Sequence, residues 1–192
     1  VLGQFQAVME QAQTLTKQYP QAFVIWNLLG ASATQLGMLD QAISAFNKVI
    51  LLNPNYADTY CNMGAVLQSQ GKLEEAKEAY NKALALKPNF AVAYNNMGNV
   101  FKDQSNYKKA VEMYNKSISL KPDYADAYCN LGAALQDEFK LYKAIKAHKK
   151  SIMLNPNNAE SYRNMAVAFK DLGKLEEAIG LFNKAIALKP NY

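Results

Sequence analysis

ADTYCNMGAVLQ, residues 57–68, returns as ADAYCNLGAALQ at residues 125–136. Nine of the twelve letters agree across a distance of 68 residues. Sliding the chain by half that distance, 34 residues, aligns five consecutive copies. A fixed period of this length is typical of architectures in which each unit packs on its neighbours. The copies are 23–56, 57–90, 91–124, 125–158 and 159–192.

Each copy has the residue spacing of two amphipathic helices. With positions numbered 1 to 34, apolar residues at 4, 7, 8 and 11 and again at 17, 20, 24, 27 and 30 follow the helical period. Position 8 is Gly or Ala and position 20 is always Ala, so the two helices can approach closely. Pro at position 32 ends the second helix in every copy. One pair of helices cannot bury its apolar face alone, so the sequence predicts an all-α solenoid of stacked pairs.

The pattern resembles the tetratricopeptide repeat (TPR) family. The resemblance rests on Trp or Tyr at position 4, the small residues at 8 and 20, the ring at 24 and Pro at 32. It covers 23–192 without a gap, and 1–22 resembles the second half of one more copy. It implies a right-handed superhelix of antiparallel helix pairs. DAYCNLG, residues 126–132, is similar to repeats of O-linked N-acetylglucosamine transferases, and related bacterial repeats often precede glycosyltransferase or sulfotransferase domains.

Position 15 of each copy lies in the turn after the first helix. Gly37, Gly71 and Gly173 suit a left-handed turn, whereas Ser105 and Phe139 do not. We therefore predict a different, looser turn near Phe139. Position 33 has Asn or Asp in four copies, and these side chains are predicted to cap the next first helix. They are Asn55, Asn89, Asp123 and Asn157.

The resemblance implies that positions 2, 5, 6, 9, 12 and 13 of the first helices line a concave groove, which we call the first-helix face. Position 6 has Asn in four consecutive copies: Asn62, Asn96, Asn130 and Asn164. A carboxamide has two donors and an acceptor oxygen, so a row of Asn can pair with the N–H and C=O groups of an extended peptide. The alternative is that Asn is merely a well-solvated residue in the groove.

Position 2 has acidic side chains in three copies, one helical turn before the Asn row. They are Asp58, Asp126 and Glu160. One interpretation is that they select basic or hydroxyl-bearing side chains of the ligand. The other, which we favour, is that they form capping boxes with the residues three positions earlier and complement the helix dipole.

Position 5 completes the predicted peptide-binding set with Asn27, Asn95 and Arg163. Cys61 and Cys129 occupy the same position and are predicted to be small residues beside the ligand, because no His or metal-ligand cluster accompanies them. The two cysteines should lie two helix layers apart, too far for a disulfide bond. This indicates a reducing, cytoplasmic compartment.

The net charge of +5 raises the question of a nucleic-acid partner. Lysines recur at positions 16, 26 and 31, on turns and outer faces, while the first-helix face has more acidic than basic residues. Phosphates would be repelled there, so no nucleic acid is expected. No membrane partner is expected either, because the apolar runs fall far short of the ~20 residues of a membrane span.

No combination of residues indicates catalysis, a metal or a cofactor. His148 is the only histidine, and it occupies position 24, where the other copies have Phe or Tyr, so we predict a packing residue. The sequence has no Gly-rich phosphate loop and no nucleophile beside a base. We therefore expect no enzyme activity and no cofactor.

The two ends of the chain do not read like caps of a solenoid. The chain does not begin with Met, so we expect a fragment of a longer protein. The last helix resembles an internal one, and four of its apolar residues would face no following helix. They are Ala178, Leu181, Ala185 and Leu188. We predict self-association through such ends.

These patterns predict a non-catalytic scaffold that binds an extended peptide segment of a protein partner, of unknown identity, in the groove of its first helices. The alternative is the substrate-docking portion of a larger glycosyltransferase- or sulfotransferase-like enzyme.

Overall fold

The computed structural model describes residues 2–190, apart from the side chain of Leu2, and these residues form eleven α-helices and no strand. The helices are α1 (Leu2–Gln18), α2 (Phe23–Gln35), α3 (Leu39–Leu52), α4 (Ala57–Ser69), α5 (Leu73–Leu86), α6 (Ala91–Asp103), α7 (Tyr107–Leu120), α8 (Ala125–Asp137), α9 (Leu141–Leu154), α10 (Ala159–Asp171) and α11 (Leu175–Leu188). The predicted all-α class is confirmed. Val1, Asn191 and Tyr192, which belong to the predicted segments 1–22 and 159–192, lie outside the described residues.

The chain divides into two compact units, one ending at Ala93 and one starting at Tyr94. In the first unit, α2 packs against α1 and α3, α4 packs against α3 and α5, and α2 also touches α4. In the second unit, α8 packs against α7 and α9, α10 packs against α9 and α11, and α8 also touches α10. These four first helices therefore pack between second helices, which is the consecutive pairing expected of a solenoid.

A large ring at position 24 lies directly against position 8 of the same copy. In the first unit, a Cβ atom added to Gly64 would lie 2.7 Å from the ring of Tyr80, which is fully buried. In the second unit, a Cβ atom on Gly132 would lie 2.4 Å from the ring of His148, which is also fully buried. The two helices are thus close enough that only glycine fits beneath an undisplaced ring.

The turn at Phe139 has the same form as the turn at Gly71, so the predicted looser turn is wrong. The φ angle is 56° at Phe139 and 75° at Gly71. In both turns the N–H of position 15 donates to the carbonyl three residues earlier, and the N–H of position 16 donates to the carbonyl five residues earlier. A left-handed backbone costs a non-glycine residue about 1–2 kcal/mol. The hydrogen bonds and the flanking helices impose it nonetheless, and the Phe139 side chain, 89% exposed, obstructs nothing.

The N-caps of α4, α8 and α10 lie one residue later than predicted. They are Tyr56, Tyr124 and Asn158. Only Asn158 caps with its side chain, whose Oδ1 accepts from the N–H of Ser161 at 3.0 Å. The N–H of Asn157 donates instead to Oδ1 of Asn155 at 3.2 Å, in an Asx turn. Position 33 therefore belongs to the turn before the helix, and the predicted caps and capping boxes at that position are wrong.

The outer face of α11 also differs from the prediction. Ala178 and Ala185 are buried and Leu181 and Leu188 are half-buried, because this side of the helix faces α10. The large apolar residues that α11 exposes lie on its other side. They are Leu175, Ile179 and Ile186. The predicted self-association is untested, but the residues named for it are the wrong ones.

Candidate functional site

Asn95 of α6 connects two members of the Asn row in the second unit. Its amide donates to Oδ1 of Asn96 at 3.3 Å, and its own Oδ1 accepts from the amide of Asn130 on α8 at 3.0 Å. Asn95 itself is only 4% exposed. It therefore lies behind the first-helix face, where it orients the two neighbouring amides rather than offering its own to a ligand.

Asn130 is half-buried and uses one of its two N–H groups in the bond to Asn95. Its other N–H and its Oδ1 make no hydrogen bond within residues 2–190. Asn164 of α10 is 9% exposed and makes no side-chain hydrogen bond with any described residue. Its amide atoms are not sealed from solvent. The second unit thus presents hydrogen-bonding capacity at two successive first helices, α8 and α10, which lie against each other.

Asn62 of α4 lines a small cavity in the first unit. The cavity has a volume of about 180 Å³ and lies between α2 and α4. Ala31 and Ala65 form its apolar walls, Phe46 lies at its base, and Thr34 and Gln35 also line it. Asn62 makes no side-chain hydrogen bond with the residues that the structure describes. The cavity therefore combines a small apolar space with an amide at its edge.

Asn27, the position-5 residue of the first copy, is bonded across copies. Its Oδ1 accepts from the hydroxyl of Thr59 on α4 at 3.2 Å. Thr59 is fully buried, so this bond satisfies a hydroxyl that packing has removed from water. Like Asn95, Asn27 serves the contact between first helices.

The acidic residues at position 2 lie in the first turns of their helices, where the helix dipole favours a negative charge. Asp58 is half-buried and its carboxylate lies 3.8 Å from Nζ of Lys87. Asp126 and Glu160 are exposed, as is Arg163 one turn after Glu160. All four side chains reach the surface beside the Asn row.

The two cysteines do not face a ligand, contrary to the prediction. Cys61 and Cys129 are each 3% exposed, and neither forms a disulfide bond. Burial raises the pKa of the Cys129 thiol to about 11, against a smaller opposing effect of the neighbouring Ser161. Both cysteines are thus unreactive small residues in the layer between helices.

His148 is a packing residue, as predicted, and it also makes a hydrogen bond that the sequence analysis missed. Its Nε2 lies 2.8 Å from Oε1 of Gln136. Burial lowers the pKa of His148 to about 4, so the ring is neutral near pH 7. The equivalent ring of Tyr114 donates from its hydroxyl to Oδ1 of Asn99 at 2.7 Å. Carboxamides at positions 9 and 12, facing rings with polar tips, were the signal for these bonds.

Family models described as TPR or tetratricopeptide repeats match the chain from residue 30 to residue 192. Their matches cover 30–71, 57–90, 79–112, 98–137, 125–158 and 159–192. The chain belongs to the tetratricopeptide repeat family. The TPR copies described above therefore have the register of the family models, most directly at 57–90, 125–158 and 159–192.

Solved TPR structures share this fold. A crystal structure of MamA is 28% identical over 84% of this chain and 95% of its own, with a TM-score of 0.72. PilF of Pseudomonas aeruginosa is 25% identical over 88% of this chain and 77% of its own, with a TM-score of 0.81. YrrB, described as a TPR protein with an unusual peptide-binding site, is 20% identical over 96% of this chain and 95% of its own, with a TM-score of 0.68, which shows the fold alone. The comparison with curated protein sequences gave no match.

Two further searches of the described residues gave no result. No group of three or more His, Cys, Asp or Glu side chains within 2–190 is arranged to hold a metal ion. Over the same residues, every helix is too short or too polar to cross a membrane.

Proposed function

We propose that this TPR chain is a non-catalytic scaffold in a cytoplasmic compartment, and that its first-helix face binds an extended segment of a partner protein. Membership of the TPR family supports a protein-interaction scaffold. The observation that carries the finer proposal is the amide of Asn130, which Asn95 orients while one N–H and the Oδ1 remain available. Asn164 on the adjacent first helix offers a second such amide.

The amides would recognise the main chain of the ligand rather than its side chains. Each Asn can accept from a peptide N–H and donate to a peptide C=O, and every peptide unit has both groups. A hydrogen bond of this kind contributes about 0.5–1.5 kcal/mol net. Several amides together would bind many sequences with moderate affinity, so selectivity has to come from other residues.

Two features beside the amides would provide that selectivity. The cavity at Asn62 has room for a short apolar or hydroxyl-bearing side chain, because Ala31 and Ala65 leave space above Phe46. Successive side chains of an extended segment point to opposite sides, so one of them can enter a cavity while the backbone lies on the surface. In the second unit, the exposed carboxylates of Asp126 and Glu160 would favour basic side chains.

The test is a selection of random phage-displayed peptides on the wild-type protein, followed by measurement of the selected peptides in solution. The double substitution Asn130→Ala with Asn164→Ala should weaken binding by roughly tenfold or more, because two or more hydrogen bonds are lost. Asn183→Ala is the matched control, since Asn183 is an exposed helical Asn on α11. Circular dichroism would establish that each variant is folded.

A second measurement asks whether the ligand backbone is the group recognised. Methylation of single peptide nitrogens should weaken binding to the wild type at the gripped positions and have little further effect on the double variant. Equal binding of a selected peptide to the wild type and the double variant would contradict the proposal.

A further inference from the structure

The two units differ in charge. Residues 1–93 have six Lys and six acidic residues, whereas residues 94–192 have 15 Lys and Arg against 10 acidic residues. The whole net charge of +5 thus belongs to the second unit. Helix α9 contributes most, with four Lys and no acidic residue between Leu141 and Leu154.

Three of these lysines surround an apolar cleft between α8 and α9. The cleft has a volume of about 370 Å³, and Tyr128, Leu131 and Leu135 of α8 form its floor. Its rim on α9 is basic and consists of Lys143, Lys146 and Lys150. None of the three ammonium groups forms an ion pair within residues 2–190. The cleft lies on a different side of α8 from Asn130, so it is separate from the first-helix face.

The first unit contains the same cleft with a different charge. Tyr60, Met63 and Leu67 of α4 stand 68 residues before the three floor residues and line a cleft of about 460 Å³. The rim residues equivalent to the three lysines are Glu75, Glu78 and Lys82. Lys72 also lines this cleft, so its charged residues balance. The shape and the apolar floor recur, and only the second unit makes the rim positive.

We propose that the cleft between α8 and α9 binds an acidic segment of a partner protein through one apolar side chain. The floor takes an aliphatic or aromatic side chain, and the three lysines attract the carboxylates that flank it. A flat anionic membrane cannot reach a concave floor, and a nucleic-acid backbone has no aliphatic group to fill it. The charge of the rim and the apolar floor together therefore favour an acidic peptide over both.

The probe is a fluorescein-labelled peptide with a central Leu-Phe pair between runs of Glu, measured by fluorescence polarisation on the full chain. Lys143→Glu with Lys146→Glu gives the rim the charges of the first unit and should weaken binding roughly tenfold or more. The control is Lys116→Glu with Lys184→Glu, which makes the same charge change at exposed positions of α7 and α11 and should have little effect. A peptide with Gly-Ser in place of Leu-Phe should bind at least roughly tenfold more weakly.

The reverse exchange tests the same inference in the first unit. Glu75→Lys with Glu78→Lys should create a second site of similar affinity, so the stoichiometry measured by calorimetry should rise from one peptide to two. Equal losses in the cleft variant and the control would show unspecific charge attraction and overturn the proposal. Tighter, cleft-dependent binding of single-stranded RNA or of phosphatidylserine vesicles than of the peptide would also overturn it.

Discussion

Copies 57–90 and 125–158 have nearly identical first helices and very different second helices. ADTYCNMGAVLQ and ADAYCNLGAALQ differ at three positions, whereas LEEAKEAYNKALAL of α5 and LYKAIKAHKKSIML of α9 agree at few. The positions that agree in the second helices include Ala76 and Ala144, both fully buried against the first helix. The comparison teaches that packing fixes one side of each pair, while the exposed side of the second helix is available for a separate charge and a separate partner.

The largest expected difference between the two copies is a dependence of stability on pH. Burial lowers the pKa of His148 from 6.5 to about 4, so between these values the unfolded chain binds a proton that the folded chain does not. The stabilising effect of a neutral His148 is therefore complete above about pH 6.5 and is lost as the pH falls toward 4. This difference amounts to roughly 3 kcal/mol at pH 4.

His148→Tyr would make the copy like its twin, because Tyr80 occupies the same position and lies 3.5 Å from Oε1 of Gln68. Urea unfolding at neutral and acid pH measures the effect: the wild type should lose more stability on acidification than His148→Tyr. Both proteins share all other titrating groups, so an identical loss would contradict a neutral, buried His148.

The contact between position 8 and position 24 gives the next largest effect. Gly64→Ala and Gly132→Ala should each reduce the free energy of unfolding by about 1–3 kcal/mol, because the new Cβ atom forces a buried ring to move. Gly180→Ala is the control, since nothing lies within 4 Å of a Cβ atom there, and it should raise stability by up to about 1 kcal/mol. Thermal unfolding of the three variants would rank them, and a neutral Gly132→Ala would contradict the close fit.

The smallest effect concerns the turns, where the twin copies have Gly71 and Phe139. Gly71→Phe should cost about 1 kcal/mol, and Phe139→Gly should recover a similar amount, because both residues have a positive φ. Chemical denaturation of the two single variants and of the exchange variant measures this. A gain from Gly71→Phe would show that the exposed ring makes a contact that offsets the backbone cost.

Much of the fold could be predicted from residue spacing within a copy. The glycine at position 8 and the ring at position 24 repeat together, and Gly64 with Tyr80 meets as that pattern requires. The turn at Phe139 could not be predicted from residue preference, since hydrogen bonds from both flanking helices outweigh a cost of about 1 kcal/mol. The N-caps were misplaced by one residue because Asn155 forms an Asx turn before the helix.

The candidate site was less predictable because its details depend on contacts between copies. Asn95 and Asn130 are 35 residues apart, and their hydrogen bond follows from the packing of α6 beside α8 rather than from either local sequence. The basic cleft was missed for a different reason. Lysines at one period were judged together as outer-face residues, and only the structure places Lys143 and Lys146 beside the apolar residues of α8.

The fit of ring to glycine lies wholly inside each copy, from Gly64 to Tyr80 or from Gly132 to His148. A genetic event that duplicates or deletes one 34-residue block therefore carries both partners with it and leaves no mismatched core behind. Contacts between blocks, such as Thr59 with Asn27, rest on single hydrogen bonds that a new neighbour can replace. Arrays of this kind can consequently grow or shrink by whole blocks during evolution, while each block acquires its own outer surface.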